Sequence, residues 1–154
     1  MPQITTKSIK QEDIEDKTYI EYYNSIEDKE VEYDEETLVG ISVEAATECD
    51  ILVNFTGSFR SRDLRETQPH RDIILSLDVN GETKTGTVAQ PIASIQTDPL
   101  AIRITKVNSS LHWGQKDLPE GNYNIEVNWF APDASDDNEA VCFGASLQAI
   151  LFYR

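Results

Sequence analysis

The sequence predicts an all-β protein, an antiparallel β-sandwich of about eight to ten strands. Three observations lead there. From Thr18 onward apolar side chains recur with a period of two rather than the helical period of about 3.6. No long stretch carries a convincing helical stripe, so nothing supplies the crossovers that parallel strands need. The alternating runs are separated by short segments rich in Gly, Pro, Asn and Asp, which turn a chain back on itself. A length of 154 residues, 39% hydrophobic and 27% charged, suits one domain with its own core.

Residues 1–36 hold 12 acids and 4 lysines, so more than half of the net charge of −15 lies near the amino terminus. Residues 1–17 carry few large apolar groups and read as an acidic, solvated arm or tether. A short, weakly patterned helix over residues 8–16 is the alternative. The sandwich domain then occupies residues 18–154. Its first strand, near residues 19–23, has the weakest pattern. Val39, Ile41, Val43 and Ala45 alternate in the next, and Ile51, Val53, Phe55 and Phe59 follow with Gly57 between them. Residues 72–80 put Ile73, Leu75, Leu77 and Val79 on one face and Ser76 and Asp78 on the other, and stop at Asn80-Gly81, a dipeptide that favours a tight hairpin into residues 83–89. Leu100, Ile102 and Ile104 follow Pro99, whose missing N–H suits a strand's start. Leu111-His112-Trp113-Gly114 reads as a turn. Over residues 121–131 Tyr123, Ile125, Val127 and Trp129 alternate with Asn122, Asn124, Glu126 and Asn128, which makes one face buried and the other wet. In the last strand Val141, Phe143, Ala145, Leu147, Ala149, Leu151 and Tyr153 share a side. Two such sheets closing on each other bury the larger side chains at roughly 1.5–3 kcal/mol apiece. The strand inventory argues for a sandwich or a jelly roll, and no internal repeat points to a propeller or solenoid.

Composition also excludes functions. With 13 Lys and Arg against 28 Asp and Glu, clustered cations for a phosphate backbone are lacking, and no nucleic-acid partner is expected. No apolar run approaches the roughly 18 residues that would span a bilayer, so no membrane insertion is expected either. Residues 1–7 lack the charged-then-apolar pattern of a secretory signal, which leaves a cytoplasmic protein or part of a phage or cell-surface assembly. Cys49 and Cys142 belong to no zinc-binding spacing and read as reduced packing residues, with one bridge closing a long loop as the alternative.

Candidate chemistry is sparse. His70 and His112 are the only histidines, neither stands at a hydrolase spacing, and His112 reads as a surface-loop residue. No catalytic residue is expected, and a metal-bearing enzymatic barrel would want more histidines. Arg60, Arg62, Arg65 and Arg71 gather in one segment with Asp63 and Glu66, a local charge of 4 − 2 = +2 while the rest of the chain sums to −17. Guanidinium forks can grip a carboxylate or phosphate in two places at once. An ion-pair loop within or between subunits, a solvated loop and an anionic-ligand site all stay open. Asp133, Asp136, Asp137 and Glu139 cluster between two strands and could supply oxygens to calcium, although the full calcium-loop spacing is missing and a solvated acidic loop is the simpler reading. Tyr123 and Trp129 share a face with Ile125 and Val127 and belong to the core, which leaves Trp113 as the free aromatic that could stack on a sugar. Asn54-Phe55-Thr56 and Asn108-Ser109-Ser110 match the glycosylation tripeptide, a pattern common by chance.

The order of features at the carboxyl end is more specific. Leu118-Pro119-Glu120-Gly121-Asn122-Tyr123 opens an alternating strand ending in Trp129; a polar loop with Asp133 and Asp136 follows, and then the run Ala140-Val141-Cys142-Phe143-Gly144-Ala145. This resembles the end of the jelly-roll family that includes tumour necrosis factor and the globular heads of complement's first component, particularly its microbial and phage relatives. Residues 75–81 resemble that family's mid-domain strand and hairpin, and residues 49–59 its early strand. The resemblance implies a homotrimer built on the outer face of one sheet with the last strand central. The interface would then comprise Leu52, Asn54 and Thr56; Ala101, Arg103 and Thr105; and Gln148, Ile150 and Phe152. Leu52, Ile150 and Phe152 support this independently, because large apolar groups on a sandwich's second face mark a partner or a covering segment, and the amino-terminal arm is the other candidate cover. In this topology the early and last strands run antiparallel, so no Cys49–Cys142 bridge is expected. The expected function is a non-enzymatic homotrimeric module for assembly or recognition, with itself and a protein or glycan surface as partners, used as a structural protein of microbial or phage origin. The alternative is a calcium-dependent carbohydrate-binding sandwich.

Overall fold

In the computed structural model, residues 19–31, 35–61, 72–91, 93–97, 100–104, 106–132 and 140–153 are described. They form ten strands: β1 (Tyr19–Val31), β2 (Glu36–Ala45), β3 (Cys49–Ser61), β4 (Ile73–Val79), β5 (Glu82–Ala89), β6 (Ala93–Thr97), β7 (Leu100–Ile104), β8 (Val107–Leu118), β9 (Gly121–Phe130) and β10 (Ala140–Phe152). Every pairing is antiparallel. One sheet has the order β1-β10-β3-β8 and the facing sheet β2-β9-β4-β5, with β6 and β7 as a separate two-stranded sheet. Most neighbours within the two large sheets are distant in sequence, because the chain crosses from sheet to sheet. That is the jelly-roll arrangement the strand inventory called for.

The elements follow from the alternation. In β4 buried and half-buried residues alternate without a break, and in β9 Ile125, Val127 and Trp129 are fully buried while Asn122 and Asn124 are exposed. The β4–β5 hairpin turns at Asn80 and Gly81, with φ of 50° and 82°, the two left-handed positions that a tight hairpin turn demands. Asn80 is further tied to β9: its N–H donates to the Asn124 carbonyl at 2.8 Å, and its Oδ1 accepts from the Asn124 N–H at 2.8 Å. The core between the sheets holds Phe55, Phe59, Leu75, Leu77, Trp129, Leu147 and Leu151. Gly57 is required there. A Cβ at this position would stand 2.8 Å from two Phe59 ring carbons and 3.0 Å from a Phe55 ring carbon. Gly57→Ala should therefore cost about 1–3 kcal/mol through overpacking; urea denaturation reads this, and an unchanged midpoint contradicts it.

Several expectations need correction. Leu111-His112-Trp113-Gly114 is not a turn but the middle of β8, paired residue for residue with β3. The strand escapes detection because it is an edge, where only Leu111 and Leu118 are fully buried; ladder hydrogen bonds rather than an apolar stripe make it extended. The Leu100–Ile104 stretch is a strand, but it pairs with β6 in the small sheet, and β8 takes the place beside β3. Ala101 and Arg103 thus lie outside the expected sheet, and Thr105 falls outside the described residues. In β10 a bulge between Cys142 and Gly144 breaks the alternation, which removes Phe143 from the inward set. β1 is long, and it is stitched to β2 across the sandwich's open edge. Lys29 Nζ donates to the Thr37 carbonyl at 2.6 Å, Asn24 Nδ2 to the Gly40 carbonyl at 2.9 Å and the Tyr22 hydroxyl to the Glu44 carbonyl at 3.3 Å. The 1–17 arm lies outside the described residues.

Candidate functional site

The outer face of the β1-β10-β3-β8 sheet has no second layer of described residues over it. The pairing register arranges its outward side chains in rows across the strands. Tyr19, Phe152 and Asp50 make the first row. Glu21, Ile150, Leu52 and Gly114 make the second, and Tyr23, Gln148, Asn54 and His112 the third. Ser25, Ser146, Thr56 and Ser110 follow, then Glu27, Gly144, Ser58 and Asn108. Of the large apolar residues on this face, Tyr23 is 62% exposed, Tyr19 56%, Phe152 42% and Leu52 39%. Ile150 is half-buried between the two flanking rows, and the Tyr19 and Phe152 rings lie 6.5 Å apart, tilted at 43°. The result is one contiguous aromatic and aliphatic end of the face.

Away from that end the face becomes polar. Gln148 Nε2 donates to Glu21 Oε1 at 2.6 Å, His112 Nδ1 and Asn54 Oδ1 are 2.7 Å apart, and the Thr56 and Ser146 hydroxyls are 3.0 Å apart. Small residues leave a shallow depression of about 520 Å³ lined by Tyr23, Ser25, Thr56, Gly57, Ser58, Asn108, Gly144, Ala145 and Ser146. Beyond it, at the far end of the strands, the bulge presents the Phe143 ring. Lys106 Nζ lies 4.1 Å and Arg60 Cζ 4.8 Å from that ring's centroid.

The fold therefore brings together Leu52, Asn54, Thr56, Gln148, Ile150 and Phe152 on one face. It does not bring Ala101 or Arg103 there. Arg60 stands at the cationic end, whereas Arg62, Arg65, Arg71 and His70 lie outside the described residues, as do Asp133, Asp136, Asp137 and Glu139. Among the described residues no group of three or more His, Cys, Asp or Glu side chains converges as metal ligands would. Trp113 is not free: it is half-buried against the core, and Lys84 Nζ from β5 sits 5.6 Å from its ring centroid. His112 is an exposed strand residue rather than a loop one. Tyr19, Tyr23, Lys106 and Phe143 were not foreseen. Tyr19 and Tyr23 share a parity along β1 that, once the strand's length is known, places both outward. Nothing in the sequence marks Lys106 or Phe143, because a bulge has no periodic signature.

Cys49 and Cys142 form no disulfide and are buried at opposite ends of the sheet: Cys49 pairs with Leu118, while Cys142 pairs with Phe59. Burial pushes the Cys142 thiol up to about 11, so it offers no thiolate nucleophile near neutral pH. Burial likewise raises the Tyr153 hydroxyl, which accepts the Ala46 N–H at 3.1 Å and pins the chain end to the β2–β3 connection. Among the described residues no helix is long and apolar enough to cross a membrane.

No protein-family model and no curated protein matches the chain. Solved structures are similar to it in shape. The infectious bursal disease virus Gx strain structure shares 12% identity at a TM-score of 0.48, over 88% of this chain and 32% of that one. The globular domain of zebrafish complement 1qA protein shares 12% at 0.39, over 90% and 98%. The CBM36-1 domain of a multidomain xylanase from the hindgut metagenome of Trinervitermes trinervoides shares 14% at 0.34, over 85% and 95%. The chain spans about a third of the viral chain. These similarities concern the sandwich alone, and no function follows from them.

Proposed function

We propose that the chain is a non-enzymatic jelly-roll module that assembles with copies of itself, as a tumour necrosis factor-like homotrimer, through the outer face of the β1-β10-β3-β8 sheet. Its role is assembly or recognition, as in a structural protein of microbial or phage origin. The observation that carries the reading is the cluster of Tyr19, Tyr23, Leu52 and Phe152 exposed around Ile150. Such a patch is costly in water and is relieved by a partner. Charge favours a second copy at this place. The whole chain carries −15 and copies repel one another, yet the rows and the cations beyond them hold Glu21, Glu27 and Asp50 against Arg60 and Lys106, a net of 2 − 3 = −1. In the proposed trimer each copy meets two others around a three-fold axis, and the closed ring leaves no apolar face uncovered. Sedimentation velocity at micromolar concentration tests this. The expected species has three times the chain mass of 17.4 kDa, and a 17.4-kDa monomer overturns the reading.

A further inference from the structure

The bulge in β10 creates an arrangement that the packing of the sandwich does not need. By turning Phe143 out, it places one aromatic ring within 4.8 Å of the Arg60 guanidinium carbon and 4.1 Å of the Lys106 ammonium. The negative face of a ring attracts each cation, but the two cations repel each other. Among the described residues the ion pairs are Lys29 with Glu36 and Lys84 with Glu82; neither Arg60 nor Lys106 has one. Arg60 Nε is in addition shut off from solvent with no acceptor for its proton. Among the described residues these two cations have no acidic partner and one guanidinium N–H has no acceptor, in a protein with more than twice as many acids as bases, so the cluster is suited to an anion.

We propose that Arg60, Lys106 and Phe143 form a binding site for a carboxylate or phosphate carried on a small hydroxyl-rich molecule, such as an acidic sugar or a sugar phosphate. The guanidinium and ammonium groups grip the oxyanion with charge-assisted hydrogen bonds, and the ring covers its flank. The rest of the ligand lies in the adjoining depression of about 520 Å³, a size suited to a small molecule. Ser58 and Asn108 stand two positions from Arg60 and Lys106 along β3 and β8, and with Ser25, Thr56 and Ser146 they offer hydroxyl and amide groups to a polyol. The site is separate from the apolar end of the face: Leu52 and Arg60 are eight positions apart on β3, roughly 26 Å along an extended strand.

Calorimetric titration of the full chain with glucuronate, glucose 6-phosphate, inorganic phosphate and glucose tests the site, with the oligomeric state recorded in the same samples. Glucuronate or glucose 6-phosphate binds and neutral glucose does not. Lys106→Gln, an exposed position, and Arg60→Gln each weaken binding about tenfold, and added salt weakens it further. Melting curves show that the variants are folded. A wild-type chain that binds neither acidic sugar overturns the site, as does an unchanged affinity in Lys106→Gln. Inorganic phosphate binding as tightly as glucose 6-phosphate would overturn the part assigned to the depression. A monomer that binds glucuronate removes the trimer and keeps this site; a trimer that binds nothing does the reverse.

Discussion

Replacing Leu52 and Ile150 together by glutamate is expected to turn the proposed assembly into monomers that still fold. The two residues are direct cross-strand partners on β3 and β10, in the middle of the apolar end of the outer face. Leu52 is 39% exposed and Ile150 half-buried in the single chain, so neither contributes to the core between the sheets. Only the part of the two side chains still exposed can be buried in the proposed interface, so losing it costs about 1–3 kcal/mol per copy, roughly five- to a hundredfold in association. The introduced charges add to this. Each copy brings two more carboxylates next to Glu21 in a chain already at −15, and in the proposed assembly they would lie where solvent is excluded. Val88→Glu is the control, since Val88 is as exposed as the face residues but lies on β5 of the other sheet. It should leave the proposed assembly intact. Sedimentation of the three proteins at equal concentration decides the matter: a double variant that stays assembled as an assembled wild type does means that copies meet elsewhere, and a monomeric wild type overturns the reading.

The second large effect lies in the core. Trp129→Ala should remove about 3–5 kcal/mol of stability, against a total of about 5–15 kcal/mol for a typical domain. Trp129 is fully buried on β9, and its ring centroid is 5.9 Å from that of Phe59 on the facing sheet, so it spans the two layers. Trp129→Phe behaves differently. The indole Nε1 has no hydrogen-bond acceptor, and a buried unsatisfied donor costs about 1–3 kcal/mol. Phenylalanine removes that donor while keeping most of the apolar volume, which offsets the smaller cavity it leaves. Its net cost should stay within about 1.5 kcal/mol. Urea denaturation of both variants checks this, and equal losses would mean that the indole N–H contributes what its isolation denies.

Which parts of the fold are legible depends on how many faces of a strand are buried. In β4 and β9 one face meets the core and the other meets water, so Ile73 through Val79 and Tyr123 through Trp129 spell out the period and the inward set at once. The Asn80-Gly81 turn is legible because its backbone conformation admits few residue types. β8 is illegible for the opposite reason: as an edge strand it buries little, and Ser109, Ser110, Gly114 and Gln115 carry no stripe. At the site, Leu52 and Ile150 betray themselves by being apolar at out-of-phase positions. Arg60, Phe143 and Lys106 do not, because they meet only through a bulge and a strand pairing between β3 and β8.

The sequence alone determined that this chain makes strands, where most of them begin and end, and which side chains face inward. These are local properties, because alternation and turn chemistry act over a few residues. The tertiary structure decided which strands become neighbours. It sent Leu100–Ile104 to a small sheet of its own, set β8 beside β3, and gathered an apolar patch and a pair of cations onto one face. The reason is that a ladder of N–H and C=O groups is the same for every strand. Which strand completes it is settled by the closing of the whole sandwich, a matter of contacts between residues far apart in the chain.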